Sequence, residues 1–122
     1  MLMKADEHFT VLLVCDSKLI GDRLADSLSK SERVEKLIQV LTVEDALRLT
    51  TFEKPGMIIV DIDSGKGIEV LRRIRQLEKT ALVVAMSTAT EPQYMRQSIK
   101  EGADYFFHLP SELNKMIELV DN

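Results

Sequence analysis

The stretch Met57-Ile58-Ile59-Val60-Asp61-Ile62-Asp63-Ser64-Gly65-Lys66-Gly67 decides how this chain folds. Four apolar residues run straight into an acid. A glycine-bearing turn follows, and then Ile68-Glu69-Val70-Leu71-Arg72-Arg73-Ile74 takes up helical spacing. A continuous β-branched run bounded by turn signals reads as a strand buried on both faces, as inside a parallel sheet. An acid at the end of such a strand stands at the lip of the sheet, where open α/β folds place their ligand sites. Taken alone, Asp61 reads equally well as the residue that starts the turn. The flanking sequence decides between the two.

Upstream, Phe9-Thr10-Val11-Leu12-Leu13-Val14 is a second buried-strand run, and it too ends at an acid, in Cys15-Asp16-Ser17. Ile20, Leu24 and Leu28 then fall four apart, one apolar helix face. Val34 to Leu41 is a weaker strand, interrupted by Lys36 and Gln39, which suits an outer position. Thr42-Val43-Glu44-Asp45 resembles a capping box and opens a helix over Val43 to Phe52, which Lys54-Pro55-Gly56 ends.

Downstream of Asp61, Ile68, Val70, Leu71, Ile74 and Leu77 form a helix whose arginines, Arg72, Arg73 and Arg75, are expected on a solvated face. Ala81 to Ser87 is a fourth strand ending in a hydroxyl. Thr90-Glu91-Pro92 opens a fourth helix, with Thr90 as the expected cap and Met95 and Ile99 as its apolar stripe. Gly102 stops it. Tyr105-Phe106-Phe107 is the fifth strand. Ser111 is the expected cap of a last helix with the stripe Leu113, Met116, Ile117 and Val120.

Strand and helix thus alternate five times with short connections, so helices cover both faces of a parallel sheet. The expected fold is a flavodoxin-like (βα)5 doubly wound sheet of strand order 2-1-3-4-5, with the switch point between the first and third strands. Asp16 and Asp61 sit there. Two carboxylates at one point repel unless a cation lies between them, and hard oxygen ligands suit Mg²⁺. A backbone carbonyl at Asp63 could add a ligand, and Ser87 at the end of the neighbouring strand could donate to a phosphoryl oxygen. Neutralised in this way, Asp61 could attack phosphorus.

Composition narrows the function classes. The 122 residues are 45% hydrophobic and 30% charged, as in one ordinary globular domain, and the net charge of −4 argues against direct nucleic-acid binding. The single cysteine excludes an internal disulfide and points to a reducing, cytoplasmic setting. No apolar run reaches the length of a membrane span. Residues 1–8 are expected to be a loose tail and residues 9–122 the domain.

From about Phe9 to Val120 the chain resembles the receiver domain of bacterial two-component response regulators. The resemblance rests on Val11 to Asp16, on Pro55 through Asp61-Ile62, on Ser87, on Gly102 to Phe107 and on Pro110. It implies that Asp61 is the phosphoacceptor, taking phosphate from a histidine kinase. It makes Asp16, Asp61 and the Asp63 carbonyl the Mg²⁺ ligands, Ser87 the phosphoryl-sensing hydroxyl and Phe106 the aromatic switch. It also makes the surface from the fourth helix through the fifth strand to the last helix the partner face. Enzyme activity is not implied beyond the domain's own phosphorylation chemistry.

The departures matter. Cys15 stands where the family has the first of two acids, and Leu109 where it has a lysine before the proline. The loop from Asp61 to Gly67 is short and lacks the usual proline. Losing one carboxylate at Cys15 is expected to weaken the metal site, and losing a preorganised donor such as the lysine costs roughly 10²–10³ in rate, so phosphorylation is expected to be slow. The competing reading is a pseudo-receiver, a protein-interaction module that phosphorylation no longer controls. A flavin- or nucleotide-binding domain fits poorly, because Asp16-Ser17-Lys18-Leu19 has no glycine to let backbone amides cradle a phosphate. His108, one residue before Leu109, is expected to point to the opposite face from it, and Cys15 to be a small buried hydrophobe.

Overall fold

A computed structural model describes residues 7–64 and 66–122. The first six residues of the expected tail, and Gly65, lie outside the described residues. Glu7 and His8 are tied down: the Glu7 carbonyl accepts from Arg33 Nε at 3.2 Å, and His8 Nδ1 lies 2.9 Å from the Glu32 carbonyl.

Among the described residues, five strands and five helices alternate: β1 (Phe9–Val14), α1 (Lys18–Leu28), β2 (Val34–Val40), α2 (Val43–Phe52), β3 (Met57–Asp61), α3 (Gly67–Leu77), β4 (Leu82–Ser87), α4 (Pro92–Lys100), β5 (Tyr105–His108) and α5 (Leu113–Asp121). The sheet is parallel, in the order β2-β1-β3-β4-β5. The flavodoxin-like expectation is met, including the weak β2 at one edge.

Alternation along the strands divides the core into two layers. Val11, Leu13, Met57, Ile59, Val84 and Met86 face α1 and α5, where Leu24, Leu28, Met116 and Val120 meet them. Leu12, Val14, Ile58, Val60, Val83 and Ala85 face the other side, against Ala46, Val70, Leu71 and Ile74. Burying such a side chain stabilises the fold by about 1.5–3 kcal/mol, so β1, β3 and β4 are held from both sides, and their C-terminal ends form a fixed platform.

Several local expectations are corrected. On α4, Met95 and Ile99 are 47% and 46% exposed, and the inward positions are the half-buried Tyr94 and the buried Ser98. Ser98 can be buried because its hydroxyl donates to the Tyr94 carbonyl at 2.8 Å, so no polar group is stranded. The cap of α4 is Glu91, with no side-chain capping bond, rather than Thr90. The cap of α5 is Glu112 rather than Ser111, whose hydroxyl is drawn to His108 instead. Thr42 does cap α2, accepting from the Asp45 amide at 3.1 Å.

Nor do the α3 arginines form a simple solvated face. Arg75 donates to the Gly102, Glu78 and Ala81 carbonyls and pairs with Asp104 at 2.6 Å, locking the end of α3 to the approach to β5. Arg72 pairs with Glu101. Gly102 is required at this lock. Its φ is +117°, and a Cβ there would lie 2.6 Å from Arg75 Cγ.

Candidate functional site

The site is built where β1, β3 and β4 end. Asp61, the last residue of β3, is 7% exposed and has a donor on each oxygen. The Asp63 amide donates to Oδ1 at 2.9 Å, folding the chain back over the strand end. The Cys15 thiol lies 3.4 Å from Oδ2 and 3.5 Å from the Ser17 carbonyl. A thiol has one proton, so it serves one of these acceptors at a time. Burial raises the Asp61 pKa above the ordinary carboxylate value, and the charges of Asp63 and Asp16 add to the effect, outweighing the two hydrogen bonds that oppose it. Burial, reinforced by the field of Asp61, pushes the Cys15 thiol up to about 11. Cys15 is therefore a protonated thiol at neutral pH and a donor to Asp61.

Asp16 is exposed beside them, its amide donating to the Ser64 hydroxyl at 3.3 Å. A cleft of about 230 Å³ joins Asp16, Asp61, Asp63 and Ser87, with Ile20 and Leu109 as its apolar wall. The structure thus brings together four of the residues expected at the site. Asp16 and Asp61, two of the three carboxylates on this small cleft, suit a divalent cation. Among the described residues, no group of three or more carboxylate, imidazole and thiol side chains is gathered as a metal cage.

The opposite wall holds what the sequence reading missed. The Asp63 carboxylate accepts from Ser87 Oγ at 2.6 Å, the Thr88 amide at 2.7 Å and Thr88 Oγ1 at 2.8 Å. Burial alone would raise its pKa, but these three bonds and the field of His108 hold it below the ordinary value. The available signal was spacing: Asp63 stands two residues after Asp61, and the pair Ser87-Thr88 offers two hydroxyls and an amide at the end of β4.

Leu109 is buried against the face of α1 that carries Leu24, with Leu113 close by, and presents no cation. His108 does reach the neighbouring loop. Its Nε2 lies 3.1 Å from the Thr88 carbonyl, which can only accept, so Nε2 carries a proton, and Nδ1 lies 2.8 Å from the Ser111 hydroxyl. Strand alternation keeps His108 off the cleft, but its hydrogen bond joins the β5–α5 turn to the loop after β4. Phe106 is half-buried on the α4 side, beside Tyr94 in the second core layer, and lines a shallow surface hollow with Met95 and His108.

Five parallel strands in this order, with an aspartate at the end of β3 and a second acid at the end of β1, define an α/β domain with a carboxylate site at its switch point. The chain belongs to the response regulator receiver domain family, whose model matches residues 11–121. It is 33% identical over 112 residues to the transcriptional activator protein ExaE of Pseudomonas putida, across 90% of this chain and 52% of that protein. The receiver domain of the Francisella response regulator 1452 superposes with a TM-score of 0.80 at 19% identity, covering 93% of this chain and 94% of that one. A Burkholderia pseudomallei response regulator, solved with a phosphorylated aspartic acid, a calcium ion and citrate, has a TM-score of 0.80 at 22% identity, covering 94% and 66%. The chain spans about half the length of the curated relatives it matches. Phosphorylation on aspartate, with Mg²⁺ at the phosphorylation site, is typical of the family. No helix among the described residues is long and apolar enough to cross a membrane.

Proposed function

We propose that Asp61 is the phosphoacceptor of this receiver domain and that it takes its phosphoryl group from the phosphohistidine of a histidine kinase in the cytoplasm. One observation carries the reading: Asp61 is a buried carboxylate with a raised pKa, and it opens on the same small cleft as Asp16 and Ser87. An Asp61 oxygen attacks phosphorus and the new O–P bond forms. The bond from phosphorus to the donor's imidazole nitrogen breaks, and the nitrogen keeps the electron pair and takes up a proton. Desolvation of Asp61 makes its ionised form a better nucleophile than a hydrated carboxylate.

Asp16, Asp61 and the Asp63 carbonyl would hold Mg²⁺, which neutralises the charge that otherwise repels an incoming phosphate. Cys15, a protonated thiol, supplies no charge to that set, so the site is weaker than one with a third carboxylate. Ser87 offers its hydroxyl to the phosphoryl group. Phe106 couples the site to the α4-β5-α5 face, whose exposed Met95, Ile99 and Tyr105 are available to an output partner or a fused output domain. Residues 9–122 form this unit, with residues 1–8 as its leading segment.

The test is intact mass after incubation with Mg²⁺ and acetyl phosphate. Wild type gains one phosphate and Asp61→Asn gains none. Absence of any gain in wild type would sink the reading. The pseudo-receiver alternative draws on two observations, the apolar Leu109 and the full engagement of Ser87 and Thr88 by Asp63.

A further inference from the structure

Asp63 does more at this site than lend a carbonyl. Its carboxylate sits above the end of β4 with both oxygens engaged. Oδ1 takes the Ser87 hydroxyl at 2.6 Å, and Oδ2 takes the Thr88 amide at 2.7 Å and the Thr88 hydroxyl at 2.8 Å. Ser87 itself is 1% exposed, so its hydroxyl has few alternatives among solvent. These are the donors that face Asp61 across the cleft. They are the groups a tetrahedral anion built on Asp61 would need. We infer that Asp63 is a positioning residue that acts as a built-in anion: its carboxylate occupies the donors of Ser87 and Thr88, holds the loop after β4 without phosphate, and competes with the phosphoryl group for that place.

The argument is one of charge and donor count. Ser87 Oγ and Thr88 Oγ1 each have one proton and the Thr88 amide one more, and Asp63 takes all three. An arriving phosphoryl group must expel the Asp63 carboxylate, or forgo these donors and face a fixed negative charge. The hold extends further, because His108 Nε2 donates to the Thr88 carbonyl at 3.1 Å and fastens the same residue from the β5 side. Thr88 is thereby clasped on both its amide and its carbonyl. The inference rests on Asp61 being the phosphorylated residue, and it adds a reason why the loop after β4 would respond little to that event.

The experiment compares wild type, Asp63→Ala and Asp63→Asn by amide NMR, with Mg²⁺ and beryllofluoride as the phosphoryl probe. In the free proteins the Thr88 amide proton should be shifted downfield and slow to exchange in wild type, and both properties should be lost in Asp63→Ala. Asp63→Asn keeps an acceptor oxygen without the charge and should fall between them. On titration, Asp63→Ala should bind beryllofluoride at least about tenfold more tightly than wild type, as expected for removal of one nearby like charge, and its Thr88 amide should return downfield. An unchanged Thr88 amide in the free Asp63→Ala protein overturns the clasp. Binding by Asp63→Ala that is absent or no tighter than wild type overturns the competition. Acetyl phosphate labelling of the same proteins separates the two faults. If Asp61 is labelled while beryllofluoride affinity is unmoved, the fault lies with the role of Asp63. If neither wild type nor Asp63→Ala is labelled, it lies with the role of Asp61.

Discussion

The two halves of the sheet edge are finished differently. At the β1–β3 corner, Asp61 is buried beside Asp16 and is opposed by one amide and one weak thiol donor. At the β4–β5 corner, Ser87 and Thr88 are engaged by Asp63, Thr88 again by His108, and the position facing the cleft just after β5 is the apolar Leu109. The two acids, only two residues apart, record the contrast. Asp61 is pushed up by burial, while Asp63 is drawn down by its three donors despite burial. One corner keeps a charged group short of partners, as chemistry requires. The other has met its polar needs internally, as a rigid structure does. The second corner is thus the more fully satisfied of the two.

The largest expected effect comes from returning a cation to the second corner. Leu109→Lys should raise the rate of Asp61 labelling by acetyl phosphate by roughly 10²-fold, the order of one preorganised electrostatic donor. The lysine stem keeps part of the apolar packing against Ile20 and Leu113. Time courses of intact mass for the two proteins measure it, and equal rates would mean that the missing lysine is not what limits the site.

Next in size is the lock outside both corners. Arg75→Ala should cost about 2–3 kcal/mol in urea unfolding, because it strips three backbone carbonyls and Asp104 of a charged donor. A loss under ~0.5 kcal/mol, the level of an ordinary surface change, would return Arg75 to a solvated face.

Restoring the missing acid sharpens the first corner. Cys15→Asp places a second buried carboxylate against Asp61, so thermal stability should fall in metal-free buffer and recover with millimolar Mg²⁺. Wild type should respond less to the metal. Equal responses would show that Cys15 is not what weakens the cation site.

The smallest effects are opposite in sign at the two acids. A carboxyl whose folded pKa is raised stabilises only while protonated, so ionised Asp61 costs stability at neutral pH. Asp61→Asn should therefore raise the melting temperature by about 2–5 °C at pH 7, and the gain should vanish as pH falls through the folded pKa of Asp61 toward the ordinary carboxylate range. Asp63 has a depressed pKa. Its contribution is present above the ordinary value and is lost as pH falls through its own lower one. Asp63→Asn should lower the melting temperature at pH 7, and that deficit should close in acid. Shifts of the same sign would dissolve the contrast between the corners.

The sheet order and the placing of Asp16, Asp61 and Ser87 on one cleft were legible in the sequence, because buried parallel strands are continuous apolar runs and their ends are marked by acids and hydroxyls. The α4 stripe was not. Met95 and Ile99 have the right spacing, but Ser98 satisfies its hydroxyl within the helix and is buried in their place. Arg75 was misread for a related reason: periodicity puts it on an outer face, and only the fold brings the Gly102 and Ala81 carbonyls to meet it. The clasp by Asp63 was equally hidden, since it depends on the turn at Ile62 and Asp63, whose side-chain directions no pattern gives. Leu109 and Cys15 were visible as departures. What the sequence could not show was that His108 reaches Thr88.

The most direct test of the central claim asks which carboxylate becomes an acyl phosphate. Wild-type protein is incubated with Mg²⁺ and acetyl phosphate, reduced with borohydride and mapped by peptide mass. Borohydride converts a phosphorylated aspartate to homoserine and leaves free aspartates alone. Homoserine at position 61, absent from Asp61→Asn, is the predicted result. Homoserine at position 16 or 63, or at no position while a typical receiver domain is labelled in parallel, would contradict the assignment of Asp61.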